Sequence, residues 1–307
     1  MLYISSRSKT DSFTSHRTLC TDRAPDFGVY IPYKTPFFTK SDLQELCSKP
    51  FSEVVSTVLN LFFSNKLSSW DIDACAGKLP VRVREMSFRL FIAECFHNPA
   101  DDYQYIEKYI YQKIADKDSQ PEPTIWAKIA IRIAFLFGIY TVYTDSFDTG
   151  FDVSVISDSF ILPISVFYAK KMGLPVRTII CCSTDNDRTW DFIQRGEYNL
   201  SQHDSPDQIE ALLYHRFGTK SLSFIRQLCQ KNVAYRMEDE DRLHCCDGFI
   251  ASVVSADRID SIIRNVYNTH QYKITEETAI TYSGLQDYRA ATGESRNTLV
   301  FMDKNPG

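Results

Sequence analysis

The stretch "CFHNPADDYQYIEKY", residues 95–109, holds two side chains suited to catalysis, the imidazole of His97 and the primary amine of Lys108. The amide Gln104 stands one helical turn before that lysine. A lysine amine condenses with an aldehyde to an imine and then moves protons, whereas an amide cannot. Each side chain also has a plainer reading: Lys108 as a solvated helix lysine, His97 as a partly buried histidine held by its neighbours. Metal chemistry would call on the pairs Cys181-Cys182 and Cys245-Cys246, the second beside His244. Adjacent cysteines lack the two-residue spacer that lets two thiolates reach one tetrahedral zinc, so these read as buried or strand-lining thiols and no metal is expected.

Such residues need elements to position them, and the chain is long enough to supply a sizeable core. It has 307 residues, 44% hydrophobic and 24% charged, in the range of one large domain or two modest ones. The net charge of −5 comes without a block of basic residues, so no nucleic-acid partner is expected. Nine scattered cysteines and an opening "MLYISSRSKT" without an apolar signal region fit reduced thiols in a cytoplasmic protein. The most apolar window, Ile125 to Tyr143, is interrupted by Lys128 and Arg132, which predicts a buried helix and no membrane span.

Residues 1–80 read as a small helical layer with a strand at its edge. Thr39 precedes a helix that Pro50 stops, Val54, Val55, Val58, Leu59 and Phe62 share one face of the next, and "SSWDIDACAGK" starts a third. Arg82 to Cys95 alternates like a hairpin, "YQYIEKYIYQKI" is helical, and "ADKDSQPEP" is a polar, proline-bearing connection. "DVSVISDSF", "LPISVFYAKKMGLP", "VRTIICCST" and "RTWDFIQRG" then alternate strand and helix, the signature of a parallel sheet with crossover helices. Helices are expected around Ile209–Phe217 and Leu222–Gln230 and over the second half of "GFIASVVSADRIDSIIRNVYNTHQY". "NTLVFMDKNPG" gives a terminal strand.

Taken in order, "YISSR", "APDFGVYIP", "CFHNP", "IWAKIAIRIAFLFGIY", the long block from "DVSVISDSF" to "RGEYN", "YNTHQYKITEETAITYSGLQDY" and "NTLVFMDKNPG" resemble threonine synthase. That family consists of pyridoxal-phosphate enzymes converting phosphohomoserine to threonine. The resemblance implies an α/β fold: an N-terminal helical domain, 1–80, and a three-layer parallel-sheet domain of the tryptophan-synthase-like class, 81–307. It also places a deletion near 115–124, where the family carries a small αβ domain of about a hundred residues.

The resemblance puts Gln104 where the family has its Schiff-base lysine and His97 at the head of the family's His-Gly-Pro-Thr pattern. Asp158, Ser159, Phe160, Ile161 and Leu162 stand at its glycine-rich phosphate turn, with only Phe160 retained. Asp303, or Met302, stands where the family addresses the pyridine nitrogen. A carboxylate at Asp158 opposes a phosphate dianion, and Ile161 removes a glycine's freedom. The expectation is therefore a catalytically inactive relative that binds no cofactor and acts by binding or scaffolding. The alternative is a pyridoxal-phosphate lyase using Lys108, or a repurposed cleft. Uncovering the face once met by the small domain would leave the Tyr103–Tyr111 helix and the loop around Phe160 as a surface for self-association or a protein partner, with core packing the competing explanation for some of those tyrosines.

Overall fold

The computed structural model describes residues 1–8, 10–63, 67–76, 81–87, 89–96, 102–184, 188–200, 208–230 and 232–307. At the N-terminus β1 (Leu2–Ser5), β2 (Ser12–Thr14) and β3 (Tyr30–Pro32) pair antiparallel in the order β2-β1-β3, with α1 (Ser15–Cys20) between the last two in sequence. The single edge strand expected here is thus a three-stranded sheet. Its two added strands are three residues each, too short to display an alternation.

Three helices follow, α2 (Lys40–Cys47), α3 (Phe51–Phe62) and α4 (Ser69–Ala76). The α2 start is a reciprocal cap: the Asp42 amide donates to the Thr39 hydroxyl at 3.2 Å, and the Thr39 amide donates to the Asp42 carboxylate at 2.7 Å. Pro50 ends that segment and opens α3, whose Val54, Val55, Val58, Leu59 and Phe62 are fully buried. That face packs on α6 (Ile125–Val142), which follows α5 (Tyr103–Ile114). By length and composition α6 resembles a membrane span, yet 83% of it is buried, as its interrupting charges predicted for a core helix.

The remaining elements are α7 (Thr144–Phe147), α8 (Ile161–Lys171), α9 (Arg188–Arg195), α10 (Ile209–Phe217), α11 (Ser221–Leu228), α12 (Asp239–Cys245), α13 (Ala256–His270) and α14 (Glu276–Thr292). Interleaved with the helices run β4 (Arg82–Ser87), β5 (Leu90–Glu94), β6 (Phe151–Ile156), β7 (Val176–Ser183), the short pair β8 (Glu197–Tyr198) and β9 (Tyr235–Arg236), β10 (Phe249–Val253) and β11 (Thr298–Met302). Six of these strands form the main sheet in the order β10-β7-β6-β11-β5-β4, parallel throughout except for the β4–β5 hairpin. The segment Phe249–Val253, expected only as the lead-in to a helix, is the edge strand β10.

Alternation gives the sheet two buried faces. Phe91, Ile179, Cys181, Leu299 and Phe301 face the core shared with α3, α6 and α8, while Ile92, Ile180, Cys182, Val300 and Met302 face α13 and α14. Cys181 and Cys182 therefore lie on opposite faces, and among the described residues eight cysteines are free thiols. Gly284 lets α14 approach closely, since a Cβ there would meet the Cys182 sulfur at 2.3 Å. The chain moves outward from β6 through β7 to β10, then returns to insert β11 between β5 and β6. Beyond the carboxyl ends of β6 and β11 the strand order reverses, the place where open α/β sheets form a crevice.

Candidate functional site

At that crevice lies a cleft of about 220 Å³ lined by Asp158, Ser159, Ile161, Leu162, Glu277 and Asp303, among others. One wall is the turn from β6 into α8. Ser159 (φ 49°) and Phe160 (φ 59°) both sit in the left-handed region, a conformation costing a side-chain-bearing residue about 1–2 kcal/mol. The surroundings hold them there. The Phe160 amide donates to the Ser157 carbonyl at 3.1 Å, and its buried ring stacks on Phe249 with centroids 5.7 Å apart. Two consecutive left-handed residues at a strand-to-helix turn form a conformation that glycine would adopt without strain, built here from larger side chains.

The opposite wall is set by a buried cation. Arg132 of α6 is 3% exposed and grips Asp303 with both terminal nitrogens, at 3.0 and 2.6 Å. The guanidinium lies 3.5 Å from the centroid of the Tyr103 ring and 4.9 Å from that of Phe301. Tyr103 closes the arrangement by donating its amide to the Asp303 carbonyl at 2.8 Å. Burial works against the Arg132 charge, but Asp303, Tyr103 and Cys95 more than offset it and hold the group more firmly protonated. Nearby Glu107 is pushed up to about 7 by burial, which the fields of Arg132 and Lys128 only partly oppose.

Against these positions the residues picked from the sequence divide. Asp158, Ser159 and Asp303 are brought together around the cleft, with Asp303 already engaged by Arg132. Met302, the other choice for that role, points into the second core. The Phe160 ring is fully buried and stacked on Phe249, while Asp158 and Ser159 beside it in the same loop are exposed. Gln104 is exposed at the start of α5, and Lys108, farther along it, pairs with Glu122 in the connection to α6. His97 lies outside the described residues. Of the four tyrosines on α5, Tyr103 and Tyr111 are core residues, Tyr105 is 49% exposed and Tyr109 is half-buried. Arg132 was visible in the sequence only as a charge interrupting an apolar helix, and Glu277 carried no local signal at all.

A family model described as Threonine synthase N terminus matches residues 2–78. Threonine synthase from Brucella melitensis, solved with PLP bound, superposes with a TM-score of 0.80 at 17% identity, covering 100% of this chain and 89% of that one. The yeast enzyme gives 0.81 at 15% identity, covering 99% and 87%. The N-terminal quarter of the chain thus matches the threonine synthase N-terminal family, and the whole chain shares the threonine synthase fold. A Threonine synthase-like 1 protein of Pongo abelii is 29% identical over 150 residues, 44% of this chain and 20% of the relative's length. The chain thus spans about a fifth of that curated relative. In the threonine synthase fold seen here, the strands from β5 to β6 are joined by α5, α6 and α7, and the described residues between them hold no strand.

Proposed function

We propose that this threonine synthase relative carries out no pyridoxal phosphate chemistry and acts by binding. What carries the reading is the lining of the cleft: among the described residues, no lysine amine is part of it. Lys108 is tied to Glu122, and Lys304, the lysine nearest by contact, is exposed and paired with Glu277 at 3.3 Å. An imine to the cofactor aldehyde needs a primary amine, and Gln104 has none. The rest of the site fits the group poorly as well. A cofactor phosphate at the α8 turn would face the Asp158 carboxylate, and a pyridine nitrogen seeking Asp303 would compete with a bidentate guanidinium. Free thiols among the described residues accord with a cytoplasmic setting. Exposed Tyr105 and half-buried Tyr109 of α5 are the part of the molecule we assign to self-association or a protein partner.

The test is to mix the protein with stoichiometric pyridoxal phosphate, reduce with borohydride and map adducts by mass spectrometry, beside an assay for phosphate release from phosphohomoserine. The expected outcome is no single-site adduct, no visible aldimine band and no release above buffer. A stoichiometric pyridoxyl group on Lys108 or Lys304, with turnover abolished by replacing that lysine, would restore the lyase reading. That second reading has one observation in its favour, the shared fold with a PLP-bound threonine synthase.

A further inference from the structure

A second concavity, of about 300 Å³, lies at the amino end of β10, where the last turns of α8 and α10 meet the turn that enters the strand. None of its residues lines the cleft at the carboxyl ends of β6 and β11. Phe167, Ile179 and Phe249 supply apolar walls, and the charged residues of the lining are Lys170, Lys171 and Arg216 with a single carboxylate, Asp247. His215 adds no charge, because burial, then the fields of Lys171 and Arg216, push it down to about 3, and its ring nitrogen bonds the Tyr168 hydroxyl at 3.0 Å. Three cations thus meet one anion in a small space.

Part of that charge has an internal use. Two helix carboxyl ends converge here and favour cations, and Lys170 donates to the Arg177 carbonyl at 2.6 Å while Arg216 donates to the Asp247 carbonyl at 2.5 Å. These bonds anchor the two heads and leave most of their N–H groups over. The Arg216 Nε is buried without a partner, and Lys171 has no hydrogen bond or ion pair, among the described residues. Gly248 (φ 78°) keeps the entrance clear, since a Cβ there would come within 3.0 Å of the Lys170 amine. Burial lowers both lysines, and the charge of Arg216 adds to that effect, so an anion in the pocket would relieve repulsion as well as satisfy donors.

We propose that the pocket between α8, α10 and the Asp247–Gly248 turn binds a small phosphate-bearing molecule. Two ammonium groups and a guanidinium fork suit phosphate oxygens, and the aromatic walls suit the carbon skeleton of an ester. The volume is that of a small-molecule site.

The site is tested with inorganic phosphate, pyrophosphate and glycerol phosphate, each titrated at constant ionic strength against chloride. Thermal unfolding and calorimetry in two buffers of different ionisation enthalpy give the readouts. The expected result is a rise in unfolding temperature, a calorimetric binding signal, and about a tenfold loss of affinity in Lys171→Met, a variant that breaks no internal bond. Binding of the ester alone would assign a metabolite, and binding of all three would assign the anion itself. A stabilisation matched by chloride at equal ionic strength, or one unchanged in both Lys171→Met and Lys170→Met, would overturn the proposal. The outcome is independent of the reading of the cleft, which predicts nothing about this pocket.

Discussion

Arg132 and Asp303 stand 171 residues apart and yet form the one bidentate grip in the cleft wall. Nothing local in "IWAKIAIRIAF" says what a lone arginine will meet, only that it must meet something, because a guanidinium buried to this degree is not tolerated unpaired. Removing one partner should therefore cost more than removing both. Asp303→Asn is expected to lower unfolding stability by about 3–5 kcal/mol, and the double change Arg132→Met with Asp303→Leu by much less, measured as urea midpoints with unchanged slopes. Equal losses in the single and double variants would mean that the pair contributes packing alone. Of the residues taken from family-like motifs, Asp158 and Ser159 lie on the cleft, at the turn from β6 into α8. Phe160 is buried against Phe249, a stacking partner on a strand that the sequence had not revealed.

Helix α5 shows what periodicity can and cannot resolve. Its spacing marks a helix, but four tyrosines on it leave open which ones face inward, and the answer depends on α6 and on the link around Gln120. Tyr111 is inside, donating its hydroxyl within 3.0 Å of the Leu19 and Gln120 carbonyls, while Tyr105 stands out from the surface. If α5 is a contact face, Tyr105→Ala should shift sedimentation toward the monomer at fixed concentration, by about tenfold in dissociation constant for an aromatic anchor. Tyr111→Phe should leave the association as it was and lower stability by about 1 kcal/mol per lost hydrogen bond. A wild-type protein that sediments as a monomer at every accessible concentration would sink the idea. Helix α2 was legible for a local reason, Thr39 accepting a bond from the first turn, and Thr124 and Thr275 make the same kind of cap at α6 and α14. The two-residue strands β8 and β9 were not legible, since pairing between distant segments leaves no mark on either.

Across the whole molecule, two titrating groups pull the pH profile of stability in opposite directions. Glu107, ordinarily near 4.5 and raised to about 7 by burial against the opposing fields of Arg132 and Lys128, keeps a proton that the unfolded chain releases, so stability falls as pH rises between those values. His215, ordinarily 6.5 and lowered to about 3 by burial, Lys171 and Arg216, refuses a proton that the unfolded chain takes, so stability falls as pH drops through that window. Their effects, each up to about 1.4 kcal/mol per pH unit, cancel from 4.5 to 6.5, so the joint contribution of these two groups is flat there and falls away on both sides. Glu107→Gln should tilt the plateau so that stability climbs with pH, read from denaturant midpoints at a series of pH values. A variant whose profile overlays the wild type would show that Glu107 is solvated in both states.

The strand that completes the sheet has a consequence for how the chain is made. β5 and β6 leave the ribosome with the slot between them empty, and it stays empty until Thr298–Met302 is synthesised. From Ile156, where the second edge is complete, to Thr298 that wait is roughly 7–28 s at translation rates of about 5–20 residues per second. Throughout it, two apolar strand edges are available to other nascent chains. Cell-free synthesis is therefore expected to give more folded protein when a holdase is present to cover those edges until Thr298–Met302 arrives, and an equal yield without one would show that the edges are not exposed.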